Sequence, residues 1–412
     1  MASTAASTFG TDVATALLAA ASRREGEMVD HLMMLAQLES PSSDPAAQQP
    51  VLDHVEAELV SRGARTLRVA GAGRSGGTLV AAMPPASPES APFQLLIGHS
   101  DTVWPHGTTA QRPPMRDGDL LHGPGTYDMK AGLVQVLTAL DLLAETGHQP
   151  GVTPVILVNS DEEIGSREST LAIRALASSA DRAMVLEPSL GTQGALKTAR
   201  KGLGRYTVTV HGKAAHAGLD PTAGASAILE LSSVIQRLFA LNDHDRGVTV
   251  NVGMVSGGIQ PNVIAPESSA VIDVRVLTSE DAETVDAAIR ALQPSTPGTS
   301  LTVDGGMGRP PLERTERNAA LYDQAVNLAT QMGLSLPEAT AGGGSDGNTA
   351  SQVAPTLDGL GAVGDGAHAE HERVYVPGWV QRTALLAGLL LLPAVRATPV
   401  PTVDDPLTLV PR

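Results

Sequence analysis

Histidine and carboxylate residues follow several apolar runs of the sequence, at the points where strands would end. His99 and Asp101 follow the run that closes at Ile97, and they are two residues apart, so in an extended segment both side chains face the same side. A histidine that binds a metal commonly has its other ring nitrogen fixed by a carboxylate, which is the task we expect of Asp101. A plain His–Asp hydrogen bond at a strand end is the alternative interpretation.

Asp128 lies in a glycine-rich segment, Gly-Pro-Gly-Thr-Tyr-Asp-Met-Lys, directly before an apolar helical pattern. The glycines indicate a backbone that approaches closely and aims one carboxylate, whereas an N-cap at the start of the helix explains the same residue equally well.

Three consecutive carboxylates, Asp161, Glu162 and Glu163, follow another apolar run. They repel each other unless a cation offsets the charge, although a solvated loop could also tolerate them. Because adjacent residues point apart, Glu162 and Glu163 can have different roles, one as a base and one as a metal ligand.

Glu187 closes a further apolar run, and His368 and His371 lie in a glycine-containing segment, where either could bind a metal. Together these segments offer two histidines, three or four carboxylates and no thiolate. That inventory suits a two-metal hydrolytic site with a bridging carboxylate. Imidazole and carboxylate ligands favour zinc, with cobalt or manganese as substitutes.

The elements that must position these residues alternate along the chain. Short apolar runs predict strands at 93–98, 153–159 and 182–187, and helical patterns predict helices at 131–145 and 171–179. Such alternation indicates an α/β domain with a largely parallel sheet, whose ligand crevice lies outside the carboxyl ends of the strands.

From residue 202 to about 307 the pattern changes to the order β-α-β-β-α-β, which is that of a ferredoxin-like α+β unit. We interpret it as a domain inserted into the first one. The proline-rich end of the chain is expected to be disordered, and its Leu-Val-Pro-Arg ending resembles a protease-cleavable tag remnant. The predicted boundaries are 1–201 and 310–396 for the two parts of the first domain, 202–309 for the insertion and 397–412 for the tail.

Composition excludes several classes of protein. The 412 residues include no cysteine, which rules out disulfide frameworks, thiolate zinc ribbons and cysteine nucleophiles. A net charge of −16 argues against nucleic-acid or anionic-membrane partners. No apolar stretch reaches about 18 residues, and the N-terminus lacks signal-peptide features, so we expect a cytoplasmic protein.

A family resemblance covers about residues 28–392. In their motifs the segments resemble the co-catalytic dizinc exopeptidases and deacylases, which include glucarpidase-type glutamate carboxypeptidase, succinyl-diaminopimelate desuccinylase, acetylornithine deacetylase and aminoacylase. The resemblance implies a zinc-exopeptidase-like α/β catalytic domain with a mixed, mainly parallel sheet. This domain would be interrupted by a ferredoxin-like lid that also forms a homodimer. The motifs occur in order: His99-Ser100-Asp101, Asp128-Met129-Lys130, Asp161-Glu162-Glu163, Glu187-Pro188 and Gly366-Ala367-His368.

The resemblance also implies a role for each metal ligand. His99 and Glu187 would hold one zinc ion. Glu163 and His368 would hold the other, and Asp128 would bridge the two.

The catalytic roles implied by the resemblance fall to three further residues. Asp101 would orient His99, and Glu162 would be the general base that passes a proton from water to the leaving amine. His216, in Gly-Lys-Ala-Ala-His-Ala-Gly, matches the histidine that reaches a neighbouring subunit and stabilises the oxyanion.

Four residues are candidates for contacts to substrate. Asn262 and Arg275 match family positions that bind the carboxylate end of the substrate. Arginine can bind a carboxylate with two hydrogen bonds, although Arg275 could equally pair with Asp273. Arg309 is a weaker candidate for the same anion. Ser345 lies in a glycine-rich loop that lines the substrate pocket in the family that the chain resembles.

The leading hypothesis is a dizinc amidohydrolase that removes a C-terminal glutamate-type residue from small N-acyl or peptidyl substrates. Deacylase activity, such as that of a desuccinylase, acetylornithine deacetylase or aminoacylase, is the alternative within the same chemistry. A non-catalytic metal- or peptide-binding homologue is the alternative of a different class, and the presence of Glu162 argues against it.

Overall fold

The computed structural model describes residues 10–85, 92–395, 403 and 405–411. The chain forms two compact units, and the loop 341–344, predicted to lie in the first domain, groups with the second unit. The first unit comprises Met1–Thr198, Arg314–Thr340 and Ser345–Arg412, and the second comprises Ala199–Glu313 and Ala341–Gly344.

Helices and strands alternate through most of the described chain. The helices are α1 (Thr11–Arg23), α2 (Glu25–Gln37), α3 (Gln49–Ser61), α4 (Thr108–Gln111), α5 (Ala131–Glu145), α6 (Thr170–Ser179), α7 (Ala227–Phe239), α8 (Ser279–Arg290), α9 (Glu316–Gln331), α10 (Asp346–Ala350) and α11 (Val376–Leu390). The strands are β1 (Arg65–Val69), β2 (Thr78–Ala82), β3 (Phe93–His99), β4 (Met115–Asp117), β5 (Leu120–His122), β6 (Thr153–Asn159), β7 (Ala180–Val185), β8 (Leu196–Arg200), β9 (Gly202–His211), β10 (Thr249–Gly257), β11 (Glu267–Val276), β12 (Ser300–Arg309), β13 (Glu338–Ala341), β14 (Thr356–Leu357), β15 (Gly364–Asp365) and β16 (Arg373–Tyr375).

The main sheet of the first unit has the strand order β1-β2-β6-β3-β7-β14. Strand β3 pairs in parallel with both β6 and β7, whereas β2 is antiparallel to β1 and to β6. The prediction of a mixed, mainly parallel sheet is therefore confirmed. Every residue of β3, β6 and β7 is buried, as expected for central parallel strands covered on both faces.

Alternate residues of these strands contribute to two apolar clusters on opposite faces of the sheet. Leu96 and Ile156 belong to the cluster that contains the buried residues of α1, α2, α5 and α11. Leu95 and Leu157 belong to the cluster that contains those of α6. No helix among the described residues is long and apolar enough to cross a membrane.

The second unit is an antiparallel sheet with the strand order β10-β11-β9-β12. Its chain order, β9-α7-β10-β11-α8-β12, is the predicted β-α-β-β-α-β order. Val234 of α7 and Ile289 of α8 pack with the strand residues Tyr206 and Ile272 in one apolar core. The alternation of buried and half-exposed residues along β11 leaves its opposite face open to polar side chains.

The predicted disorder of the C-terminal tail is wrong for residues 405–411. Asp405 caps the 3-10 turn Pro406–Leu409 and forms an ion pair with Arg65 at 2.9 Å. Val410 is buried in the same apolar cluster as α6. Composition alone does not reveal that the apolar residues between the prolines have a surface on which to pack. The other residues from 396 onward, apart from residue 403, lie outside the described part of the chain.

The packing of α5 against the main sheet depends on Gly132. A Cβ atom there would lie 2.3 Å from the carbonyl oxygen of Leu186, which is backbone and has little room to move. We expect Gly132→Ala to lower the free energy of unfolding by about 1–3 kcal/mol because of this overlap.

The matched control is Gly26→Ala in α2, where no atom lies within 4 Å of an added Cβ. This variant should be as stable as the parent protein or more stable by up to about 1 kcal/mol, because alanine favours the helix. Urea unfolding curves measure both variants, and equal midpoints for the two would contradict the packing argument.

Candidate metal centre

Three neighbouring parallel strands bring most of the predicted site residues to one edge of the main sheet. His99 is the last residue of β3, the turn Glu162–Ile164 follows β6, and Glu187 lies two residues beyond β7. Because β6, β3 and β7 are adjacent and run in the same direction, their carboxyl ends meet at the same edge.

Asp128 lies between two imidazole rings. Its Oδ1 atom is 3.4 Å from Nε2 of His99, and its Oδ2 atom is 3.4 Å from Nε2 of His368. The residue belongs to the irregular turn Thr126–Lys130 before α5, where its backbone departs from helical values (φ −116°, ψ 96°). The N-cap position of α5 is Lys130, so Asp128 is not the cap of this helix, and its carboxylate faces both rings.

Two further carboxylates complete the cluster on either side. Glu187 Oε1 lies 3.4 Å from Nε2 of His99, and Glu163 Oε2 lies 3.0 Å from Nε2 of His368. Glu162 is also close, because it offers an oxygen within 4.8 Å of ligand atoms of His99 and Glu187. The structure thus brings together the residues predicted as metal ligands and the predicted base.

Asp101 contacts His99 differently from the expectation. The ring Nδ1 of His99 lies 2.9 Å from the backbone carbonyl oxygen of Asp101 and 3.4 Å from its carboxylate. The carboxylate instead accepts hydrogen bonds from the backbone N–H groups of Glu162 and Glu163 and from the hydroxyl of Ser42. Asp101 therefore holds both the ring of His99 and the turn that carries the two glutamates.

Three buried polar atoms of the cluster have no hydrogen-bond partner among the described residues. They are Nε2 of His99, Oδ1 of Asp128 and Oε1 of Glu163. Buried polar atoms are nearly always satisfied, so their grouping at one point calls for a ligand. Imidazole nitrogen and carboxylate oxygen are donors that zinc, cobalt and manganese accept, so these residues fit divalent metal ions.

Electrostatics within the cluster agrees with this donor set. Burial would raise the pKa of Asp128, but the rings of His368 and His99 hold it well below its usual range. The carboxylates of Asp128 and Glu163 raise the pKa of His368 to about 10, while burial raises the pKa of Glu163. Without metal the rings thus attract protons, and these protons must leave before the nitrogens can bind a metal.

Two of the predicted site residues, Asn262 and His216, are neighbours in the second unit. The backbone carbonyl of Asn262 accepts from the N–H of Ala217 at 3.0 Å, next to His216. His216 is exposed, and its Nδ1 accepts from the N–H groups of Gly218 and Leu219, each at 3.1 Å. In the neutral ring the proton is therefore on Nε2, which is available as a donor.

The two predicted arginines of the second unit lie in one row across its sheet. Arg275 on β11 and Arg309 on β12 both pair with Leu203 of β9, from opposite sides. The guanidinium of Arg275 donates to the carboxylate of Asp273 and to the carbonyl of Gly342, each at 2.9 Å. The alternative ion pair with Asp273 is thus present, and a substrate contact for either arginine stays a prediction.

Ser345 lies in the first unit and is fully buried. Its hydroxyl accepts from the N–H of Gly347 at the start of α10 and donates to the carboxylate of Asp358 at 2.5 Å. These contacts account for its position at the helix start, and its substrate contact also stays a prediction.

Sequence comparison identifies the family of the chain. Residues 95–392 match the description Peptidase family M20/M25/M40. The chain belongs to this family. It is 29% identical over 384 residues to carboxypeptidase G2 of Pseudomonas sp. (strain RS-16), covering 91% of each chain. It is 27% identical over 324 residues to succinyl-diaminopimelate desuccinylase of Methylorubrum populi, covering 73% of this chain and 82% of the relative.

Solved structures agree on the fold of this M20-family chain. Aminopeptidase PepT of Bacillus cereus superposes with a TM-score of 0.74 at 21% identity, over 89% of this chain and 98% of that one. An M20-family metallo-carboxypeptidase of Sulfolobus solfataricus has a TM-score of 0.66 at 15% identity, over 89% and 99%. The protein is therefore a hydrolase of a metal-dependent family of peptidases and amidohydrolases.

Glu372 contacts the turn that carries Asp128, although it was not among the predicted site residues. Its carboxylate is buried and accepts from the backbone N–H groups of Gly125, Tyr127 and Asp128 at 2.9–3.0 Å and from the indole of Trp104 at 2.7 Å. Burial raises its pKa to about 7. It lies four residues after His368, in a segment whose acidic residues the sequence does not distinguish.

We expect Glu372→Gln to weaken metal binding by about 10–100-fold, the usual cost of losing a group that orients a ligand. Glutamine offers one acceptor oxygen where the carboxylate offers two, so the turn that aims Asp128 loses backbone hydrogen bonds. Competition with a chromophoric chelator measures the zinc affinity.

Glu370→Gln is the matched control, because Glu370 is exposed two residues away and the substitution removes the same charge. Its zinc affinity should equal that of the parent protein. Identical affinities for both variants would show that Glu372 does not orient Asp128.

Proposed function

We propose that this protein is a zinc-dependent exopeptidase that removes a C-terminal glutamate-type residue from N-acyl or peptidyl substrates. The observation that carries the proposal is the position of Asp128, whose two oxygens each lie 3.4 Å from the imidazole of a different histidine. One carboxylate between two imidazoles suits a pair of metal ions. The similarity to carboxypeptidase G2 supports cleavage of a bond beside a free carboxylate.

The proposed metal complement is two zinc ions per chain, with cobalt or manganese as substitutes. His99 and Glu187 would hold one ion, Glu163 and His368 the other, and Asp128 both. Bound divalent ions would polarise the scissile carbonyl and lower the pKa of water, which is their usual contribution to amide hydrolysis.

The chain's own residues would move the proton. Glu162 lies within 4.8 Å of His99 and Glu187 and is held by the hydrogen bond from its backbone N–H to Asp101. We assign it the role of general base, which takes a proton from the attacking water and returns it to the leaving nitrogen.

The remaining predicted residues are assigned contacts to substrate. His216, with its Nε2 proton available, would donate to the oxyanion of a neighbouring subunit in a homodimer formed by the second unit. Asn262, Arg275 and Arg309 would bind the free carboxylate, and Ser345 would line the pocket. A cytoplasmic location is part of the same proposal.

The role of Glu162 predicts a separation between metal binding and turnover. Glu162→Gln should keep its zinc but lose activity by about 10²–10⁴-fold, the usual contribution of a general base. Zinc content by elemental analysis and hydrolysis rates measure the two properties. A variant that turns over normally would remove Glu162 from the mechanism, and a parent protein without activity on any amide substrate would favour the non-catalytic homologue.

The substrate is tested with a panel of N-acyl and peptidyl glutamates. We expect glutamate release that disappears after dialysis against a chelator and returns with zinc. Full activity in the metal-free protein would contradict the metal-dependent mechanism. Zinc-dependent activity only on succinyl or acetyl amino acids would favour the deacylase alternative, which the similarity to succinyl-diaminopimelate desuccinylase supports.

A further inference from the structure

A cavity of about 130 Å³ lies beside α11 in the first unit. Its apolar walls include Leu336, Val363 and Leu385, and its polar rim includes the exposed residue Gln193. It shares no lining residue with the metal cluster described above. Its volume is well above the space that one water molecule needs.

The guanidinium of Arg382 reaches this cavity without a compensating charge. Arg382 is 5% exposed, and its Nη2 donates to the carbonyl of Gly194. Its Nη1 is buried and has no hydrogen-bond partner among the described residues, and none of their Asp or Glu side chains forms an ion pair with it. Burial lowers the pKa of Arg382 to about 10, which leaves it charged at neutral pH.

A second buried arginine of the same unit shows how this fold compensates such a charge. Arg182 is fully buried, yet its guanidinium contacts the carboxylate of Asp181 at 3.1 Å, the side-chain oxygen of Gln94 and the carbonyl of Pro393. An unpaired buried charge is strongly destabilising. The different surroundings of Arg382 therefore indicate that its partner comes from solution.

We propose that this cavity binds a small organic carboxylate, with the guanidinium of Arg382 as its anchor. The unpartnered Nη1 of the guanidinium offers a charged donor to a carboxylate. The apolar walls favour a ligand with a short hydrocarbon chain. An inorganic anion would instead place its charge against these apolar side chains. The ligand is a carboxylate of a few carbon atoms, held outside the metal centre.

The test is the thermal stability of the zinc-loaded protein in sodium propionate, compared with sodium chloride and sodium phosphate at the same ionic strength. At ten times its dissociation constant, propionate should raise the Tm of the parent protein by roughly 1–3 °C. Arg382→Met, which keeps the bulk and removes the charge, should lose this shift.

Gln193→Glu keeps the proposal testable if Arg382→Met fails to fold. This isosteric change places a carboxylate at the rim, so the response to propionate should again be lost. Gln236→Glu, exposed in the second unit, is the control with the same change of net charge and should respond like the parent protein.

Because every variant keeps the metal centre, propionate bound there would shift the Tm of all of them alike. A shift retained in Arg382→Met or in Gln193→Glu would overturn the proposal. So would a parent protein that responds no more to propionate than to chloride, or that responds only to phosphate.

Discussion

Carboxylates that are buried close together repel each other, and the main sheet of this protein ends in such a group. Asp128, Glu163 and Glu187 surround His99 and His368, and the shortest distances between these side chains are 3.0–3.4 Å. Repulsion of this kind is tolerable only where positive charge offsets it. Protons on the two rings do so in the metal-free protein, and divalent cations would do so in our proposal.

The backbone around the cluster is arranged to keep these side chains in place. The carboxylate of Asp101 accepts from the turn that carries Glu162 and Glu163, and Glu372 accepts from the turn that carries Asp128. Backbone N–H groups are rigid donors, so these two carboxylates fix the turns that carry the proposed ligands. The buried acids of this region thus divide into those that face the cluster and those that hold its loops.

Buried charge is treated in two ways within the same unit. Arg182 is surrounded by its own acceptors, whereas Arg382 has an unpaired nitrogen beside a cavity. The metal cluster has the same character as Arg382, because three of its buried atoms lack partners within the described chain. In both of our proposals the missing partner comes from solution.

Local pattern was enough to determine much of this protein. The apolar runs before His99, Glu162 and Glu187 predicted three buried strands, and their order with the helices predicted parallel neighbours and a β-α-β-β-α-β insertion. Local pattern failed for contacts between residues far apart in the chain. Three features depend on which segments meet in space: the packing of Val410 on α6, the hydrogen bonds from the turn before α5 to Glu372, and the cavity beside Arg382.

The sequence by itself determined the elements and the residue types available for chemistry, because periodicity and spacing are local properties. The resemblance to the dizinc family had already implied which carboxylates face the two imidazoles. Only the tertiary structure decided that the carboxylates of Asp101 and Glu372 hold the backbone of the turns, because those contacts are set by long-range packing.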